Sequence, residues 1–240
     1  MRRYDDIAEL MEAVDSNLLA LRAAYESAKH NEEQLSAARP VIKSILGDLR
    51  SILDYCAMSI FESYSRKEWR PYFPYGKNEI VFLKSIDKNL NGLATQSPDI
   101  FQLVLSLQPH ICGSSWLTDL CEMTNHTKHR NLGIQKRINS PQGSVTVGNL
   151  FKVSGGSQII LDGAMIDGEV INDGAPVTLT DTSSEKEIKN IFGGIAEVSK
   201  SYDWVIFEMN DYPGDVLEFL KVSSSNVKDF VGMLNKIIDV

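Results

Sequence analysis

Apolar positions recur every three or four residues through the first third of the chain. Ile7, Leu10, Met11, Val14, Leu18, Leu21 and Tyr25 lie on one helical stripe, and no glycine or proline interrupts it. This spacing predicts a helix over about 4–36. Pro40 suits the first turn of a second helix, where its missing N–H is not needed. Ile42, Ile45, Leu46, Leu49, Ile52, Leu53, Cys56 and Ile60 supply that helix's apolar face. Two long helices joined by a short link predict an antiparallel hairpin. The second helix should end at residues 69–76 (WRPYFPYG), an ordered loop whose two prolines and four aromatic rings would pack over the bundle. Shorter helices are expected at about 78–90, 98–107 and 114–131. Ser97 before Pro98 and Asp99 makes a helix start, and Ser114 or Ser115 can cap the last of them.

Near Asn139 the period changes. Ser140-Pro141-Gln142-Gly143 reads as a linker, and Val145, Val147, Leu150, Phe151 and Val153 fit strands. Asp162-Gly163, Asp167-Gly168 and Asp173-Gly174 separate short apolar runs, the signature of a meander with tight turns. Further strands are expected at about 176–180, 192–199, 203–209 and 216–222. A closing helix is expected at 225–238, with Val227, Phe230, Val231, Leu234 and Ile238 inward. The fold class that follows is α+β: an antiparallel helical bundle over 1–138 and a β-meander domain with a C-terminal helix over 142–240.

Charge divides the same way. Residues 1–138 carry 17 Lys and Arg against 17 Asp and Glu, whereas 139–240 carry 7 against 15, the whole of the net −8. The second half is therefore a poor surface for phosphates, which bind through Lys and Arg, and any RNA contact belongs to the helical half. No apolar run approaches the roughly 18 residues of a membrane span, and the start of the chain lacks the apolar core of a signal peptide, so a cytoplasmic protein without membrane contact is expected. Cys56, Cys112 and Cys121 are too few and too irregular for a disulfide framework and read as free thiols.

Several chemistries fail on spacing. Gly155-Gly156 and Gly193-Gly194 lack the residues of a phosphate loop. The Asp-Gly pairs lack the closing glutamate of a calcium loop. His110, Cys112, Cys121, His126 and His129 are zinc-ligand types, but their spacing matches no finger, and Cys121 and His126 fall about 140° apart on a helix. No metal and no cofactor is expected.

Two constellations remain. Asn125-His126-Thr127-Lys128-His129-Arg130 gathers polar and basic groups at a helix end, with Asn125 and His129 turned away from the stripe centred on Leu120. This arrangement either complements the helix dipole in solvent or forms a polar face covered by a partner. Arg50 and Asp54, four apart on the second helix, either tie the bundle together or present a guanidinium to phosphate.

Leu49-Arg50-Ser51-Ile52-Leu53-Asp54-Tyr55-Cys56-Ala57, followed by Asn125-His126-Thr127-Lys128-His129-Arg130, resembles a family of uncharacterised bacterial proteins with a Leu-Arg-Ser-Ala-Leu-Asp-His-Leu-Ala helix and a later Asn-x-x-Lys-His-Arg helix. The resemblance spans about 45–135. The first motif is also similar to the Arg-x4–6-His element of HEPN domains, helical bundles that include dimeric, metal-independent ribonucleases of toxin–antitoxin and phage-defence systems. Arg50 matches the motif arginine. Tyr55 stands where the histidine would fall, and a phenol cannot replace imidazole as an acid/base near pH 7.

The resemblance implies a HEPN-like binding module for RNA or a protein partner in a bacterial stress or defence system, acting as a homodimer. Its site would be Arg50, Asp54, Asn125, Lys128, His129 and Arg130. One alternative is a ribonuclease with His129 as acid/base and Arg50 stabilising the transition state. Another is a purely structural role in which Arg50, Asp54 and Asn125 satisfy one another.

Overall fold

A computed structural model describes residues 3–129, 133–192, 194–209 and 212–238, without the side chains of Lys128 and His129. It is a mixed α+β protein in which helices come first, antiparallel strands follow, and a long helix ends the described chain. No described helix is long and apolar enough to cross a membrane.

The helices are α1 (Tyr4–Ala28), α2 (Arg39–Tyr64), α3 (Glu79–Asn89), α4 (Leu93–Gln96), α5 (Pro98–Ser106), α6 (Pro109–Cys112) and α7 (Trp116–His129). Then come strands β1 (Gln135–Asn139), β2 (Gly143–Val147), β3 (Phe151–Ser154), β4 (Gln158–Leu161), β5 (Met165–Ile166), β6 (Glu169–Val170) and β7 (Val177–Thr180). A short helix α8 (Glu185–Phe192), strands β8 (Val198–Tyr202) and β9 (Val205–Met209), and helix α9 (Val216–Ile238) complete the order.

Two compact units are threaded through one another along the sequence. The first comprises Met1–Arg22, Ala38–Ile134 and Met209–Val240, and the second Ala23–Ala37 and Gln135–Glu208.

In the helical unit, α2 is the central element. Its predicted stripe from Ile42 to Ile60 is fully buried, and Pro40 sits in its first turn as expected. The last helix corrects the sequence reading. The expected strand at 216–222 is instead the start of α9, where Val216, Leu217, Phe219 and Leu220 are buried at i, i+1, i+3 and i+4. That is a helical face rather than an alternating one. Helix α9 belongs to the helical unit. It packs along α2 and meets α5 and α7, and its Phe230 stands edge-on to Phe73 with ring centroids 5.3 Å apart.

The loop at 69–76 is ordered, as expected, but only part of it covers the bundle. Pro71 and Phe73 point inward, while Trp69 and Tyr72 are exposed. Three side-chain acceptors hold its backbone: Tyr72 N–H donates to Asn89, Phe73 N–H to Asp54 and Gly76 N–H to Gln108. At Gly76 the chain runs so close to α3 that a Cβ would lie 2.3 Å from the Phe82 backbone nitrogen. Gly76→Ala should therefore destabilise the helical unit by about 2 kcal/mol or more through overpacking, read as a lower urea midpoint at unchanged m-value.

In the strand-rich unit, β2 lies between β3 and β8 in an antiparallel sheet, with Val145 opposite Val153 and Lys200. Strands β4 and β7 pair around a small β5–β6 hairpin. Asp167 and Gly168 turn that hairpin with φ of 49° and 86°, as a tight two-residue turn requires. Val145, Val147, Leu179, Ile188, Phe192 and Val198 share the core.

The strand expected at 192–199 is displaced to β8 because α8 occupies the preceding residues. The helix expected over 4–36 stops at Ala28. Arg137 takes over the carbonyls beyond that point, donating to Ala28 O (2.8 Å), Asn31 O (2.5 Å) and Gln34 O (3.0 Å). Ala28 O and Asn31 O also accept the backbone N–H groups of Asn31 and Gln34.

Candidate functional site

Helix α2 places Arg50 and Asp54 one turn apart, and α7 brings Cys121 and Asn125, also one turn apart, toward the same region. The two helices are clamped by Thr124, whose hydroxyl reaches both Leu120 O (2.7 Å) and Leu46 O (3.2 Å).

The Arg50 guanidinium is enclosed there. Its Nε donates to Asp54 Oδ2 at 3.3 Å, Nη2 pairs with Asp54 Oδ1 at 3.1 Å, and Nη1 lies 2.6 Å from Cys121 Sγ. The Tyr75 ring covers the plane, 5.2 Å from its centre, a favourable cation–π placement. The Arg50 side chain is 11% exposed. Burial opposes its charge, but Cys121, Asp54 and Tyr75 overcome this and hold its pKa above the ordinary value.

Asp54 is equally committed, accepting the Phe73 N–H at 2.8 Å as well as the guanidinium. The pair thus pins the 69–76 loop onto α2 and α7. Asn125 is exposed and joins the cluster indirectly. It hydrogen-bonds the Tyr75 phenol and favours its ionised form, although burial and the nearby Cys121 outweigh this and raise the phenol's pKa. The closed trio of Arg50, Asp54 and Asn125 expected on the structural reading is therefore a longer chain through Tyr75 and Cys121.

The sequence gives a partial signal for Cys121 and Asn125, and none for Tyr75. Cys121 and Asn125 stand four apart on α7, as Arg50 and Asp54 do on α2, so each pair shares a helix face. What the spacing does not disclose is that the faces meet.

Tyr55 stands about 140° around α2 from Arg50. It lies close enough to Arg3 to favour that residue's charge. The side chains of Lys128 and His129, and all of Arg130, lie outside the described residues. His126 is half-buried and lines a small pocket of about 160 Å³ with Asp119, Glu122, Met123, Met209 and Tyr212. Among the described residues no three His, Cys, Asp or Glu side chains gather as a metal-ligand group.

Burial lifts the Cys121 thiol from an ordinary 9.0 to about 11, with Arg50 partly opposing the rise. Cys56 is lifted further still, again by burial, while Cys112 is exposed. Only the thiolate attacks alkylating reagents. Native protein at pH 8 should therefore lose about one thiol to iodoacetamide, at Cys112, and all three once denatured.

The Cys121 shift also fixes a pH dependence. The folded state holds the thiol proton more tightly than the unfolded state. Its contribution is complete below about pH 9 and disappears as pH rises to about 11, a loss of about 3 kcal/mol. Urea midpoints between pH 8 and 11 should fall, and fall less in a Cys121→Ala variant.

Compared with known proteins, the chain matches no family model, no curated protein and no solved structure.

Proposed function

We propose that this chain is a HEPN-like binding module without catalytic activity of its own, engaging a protein partner through the polar face of α7. Asn125, with Lys128, His129 and Arg130 following it in sequence, supplies the contacts, while Arg50, paired with Asp54, holds α7 through Cys121. The observation that carries this reading is the enclosure of Arg50: each of its three nitrogens already has a partner inside the protein, and the side chain is only 11% exposed.

A ribonuclease would need that guanidinium aimed at the reacting centre, within hydrogen-bonding reach of the acid/base. The described part of α7 also carries Asp119 and Glu122 beside His126, and Glu122 is already paired with Lys77 at 2.7 Å. Carboxylates interspersed with basic groups suit protein side chains of mixed polarity.

The test has two arms. Metal-free protein is incubated with mixed RNA beside a His129→Ala variant, and neither should cleave. Cleavage by the natural chain that disappears in the variant would overturn the reading. In the second arm a photo-crosslinking residue at position 125 should capture a protein that the same residue at Lys43, exposed on α2, does not. Equal capture at both positions would count against the α7 face.

A further inference from the structure

The loop that follows α2 has a second character. Helix α2 ends at Tyr64, where Ser65 turns extended and its N–H still bonds Phe61 O. Downstream, Pro71 is buried and Phe73 is locked in the core. Between these anchors runs Arg66-Lys67-Glu68-Trp69-Arg70, every residue of it exposed.

Arg66, Lys67, Glu68, Trp69 and Arg70 line an open cleft of about 880 Å³ together with Arg3, Met58, Glu62 and Ser65. Arg3 is taken up by Glu62 in a two-point pair at 2.8 and 3.0 Å. No ion pair to Arg66, Lys67 or Arg70 occurs among the described residues, although Glu68 stands between them in sequence. Three uncommitted cations in one cleft stand out in a chain of net charge −8.

Among them Trp69 leaves 53% of its surface in water, and three residues on Tyr72 leaves 66%. Each aromatic ring bears a hydrophobic cost that burial elsewhere would have removed. Cations that follow a phosphate backbone, interleaved with rings on which bases stack, are the elements of single-strand recognition. Because both ends of the segment are fixed, little ordering entropy remains to be lost on binding.

We propose that residues 66–72 form a binding surface for single-stranded nucleic acid, with Arg66, Lys67 and Arg70 on successive phosphates and Trp69 stacking a base. This surface is separate from the α7 face and does not depend on its assignment.

The probes are fluorescein-labelled dodecamers of uridine and of thymidine, titrated with the full chain in 50 mM KCl and followed by anisotropy. Binding on the order of 1–100 µM is expected, weakening with salt at a log–log slope of about −2 for three phosphates. Trp69→Ala should weaken it roughly tenfold. A triple Arg66→Ala, Lys67→Ala, Arg70→Ala variant should weaken it at least as much and flatten the salt slope. A charge-matched triple variant at the exposed Lys84, Lys152 and Lys186 controls for net charge and should bind as the natural chain does.

All the substituted side chains are exposed, so circular dichroism should stay unchanged. The assignment is overturned if neither dodecamer binds, if the Arg66/Lys67/Arg70 variant binds as the natural chain does, or if the Lys84/Lys152/Lys186 variant loses as much. It is also overturned if poly-glutamate competes as well as oligonucleotide and Trp69→Ala leaves binding untouched, since that would mark an acidic-protein surface.

Discussion

Arg50→Ala should destabilise the helical unit by about 3 kcal/mol, the scale set by removing one partner of a buried ion pair. The loss has three parts. Asp54 keeps only the Phe73 N–H, Cys121 loses its donor, and the Tyr75 ring loses the cation beneath it. Arg50→Lys should recover only part of this, because an ammonium is a single point charge and cannot span carboxylate, sulfur and ring as a guanidinium plane does. Urea unfolding of the two variants beside the natural chain gives the measurement. A change below about 1 kcal/mol for Arg50→Ala would mean that the pair is not a structural latch, and would return the guanidinium to the list of groups available for a ligand. Fluorescence of the exposed Trp69 should report loosening of the adjoining loop in the same titration.

Phe230→Ala should have an effect as large or larger, about 4 kcal/mol. Phe230 is fully buried on α9 and meets Phe73 edge to face. Its removal opens a cavity between the last helix and the aromatic loop and forfeits the ring–ring term as well. The prediction bears on architecture, because it requires α9 to be part of the helical core. Were α9 merely a lid on the strand-rich unit, the helical signal in circular dichroism would melt unchanged apart from α9's own share. The expected result is an earlier melt of the helical signal as a whole.

These two residues also show what sequence could and could not disclose. The stripe on α2 was legible because mostly β-branched and leucine side chains repeat at helical spacing over about five turns, and α2 buries that stripe as read. The Asp167-Gly168 turn was legible because few residues other than Asn, Asp and Gly tolerate positive φ there. At 216–222 the run Val-Leu-Glu-Phe-Leu-Lys-Val offers a short apolar stretch that periodicity cannot settle. Its burial against α2, α5 and α7 decides for helix.

Helix α8 carried a signal that the strand reading passed over. Ser184 and Glu187 form a reciprocal capping box, Ser184 Oγ accepting the Glu187 N–H and Glu187 accepting the Ser184 N–H. Ser-x-x-Glu is its sequence mark. At the candidate site, Arg50 and Asp54 could be paired from their spacing alone. Cys121 and Tyr75 could not, because they arrive from segments 71 and 25 residues away through tertiary packing.

The interleaving of the two units has a consequence for biosynthesis. The helical unit draws its last element from Val216–Ile238, whereas the strand-rich unit is complete at Glu208. A chain emerging from the ribosome at about 5–20 residues per second leaves the part of the α2 stripe that α9 covers open for several seconds or more, even after α7 has packed on the helix. Once Glu208 has emerged the strand-rich residues have every partner they need, and the helices do not. The nascent protein therefore passes through a stage in which part of a long apolar helix face waits for a segment more than 150 residues downstream. That stage is when a holding chaperone would find its target, and a ribosome stalled before α9 would leave the face uncovered.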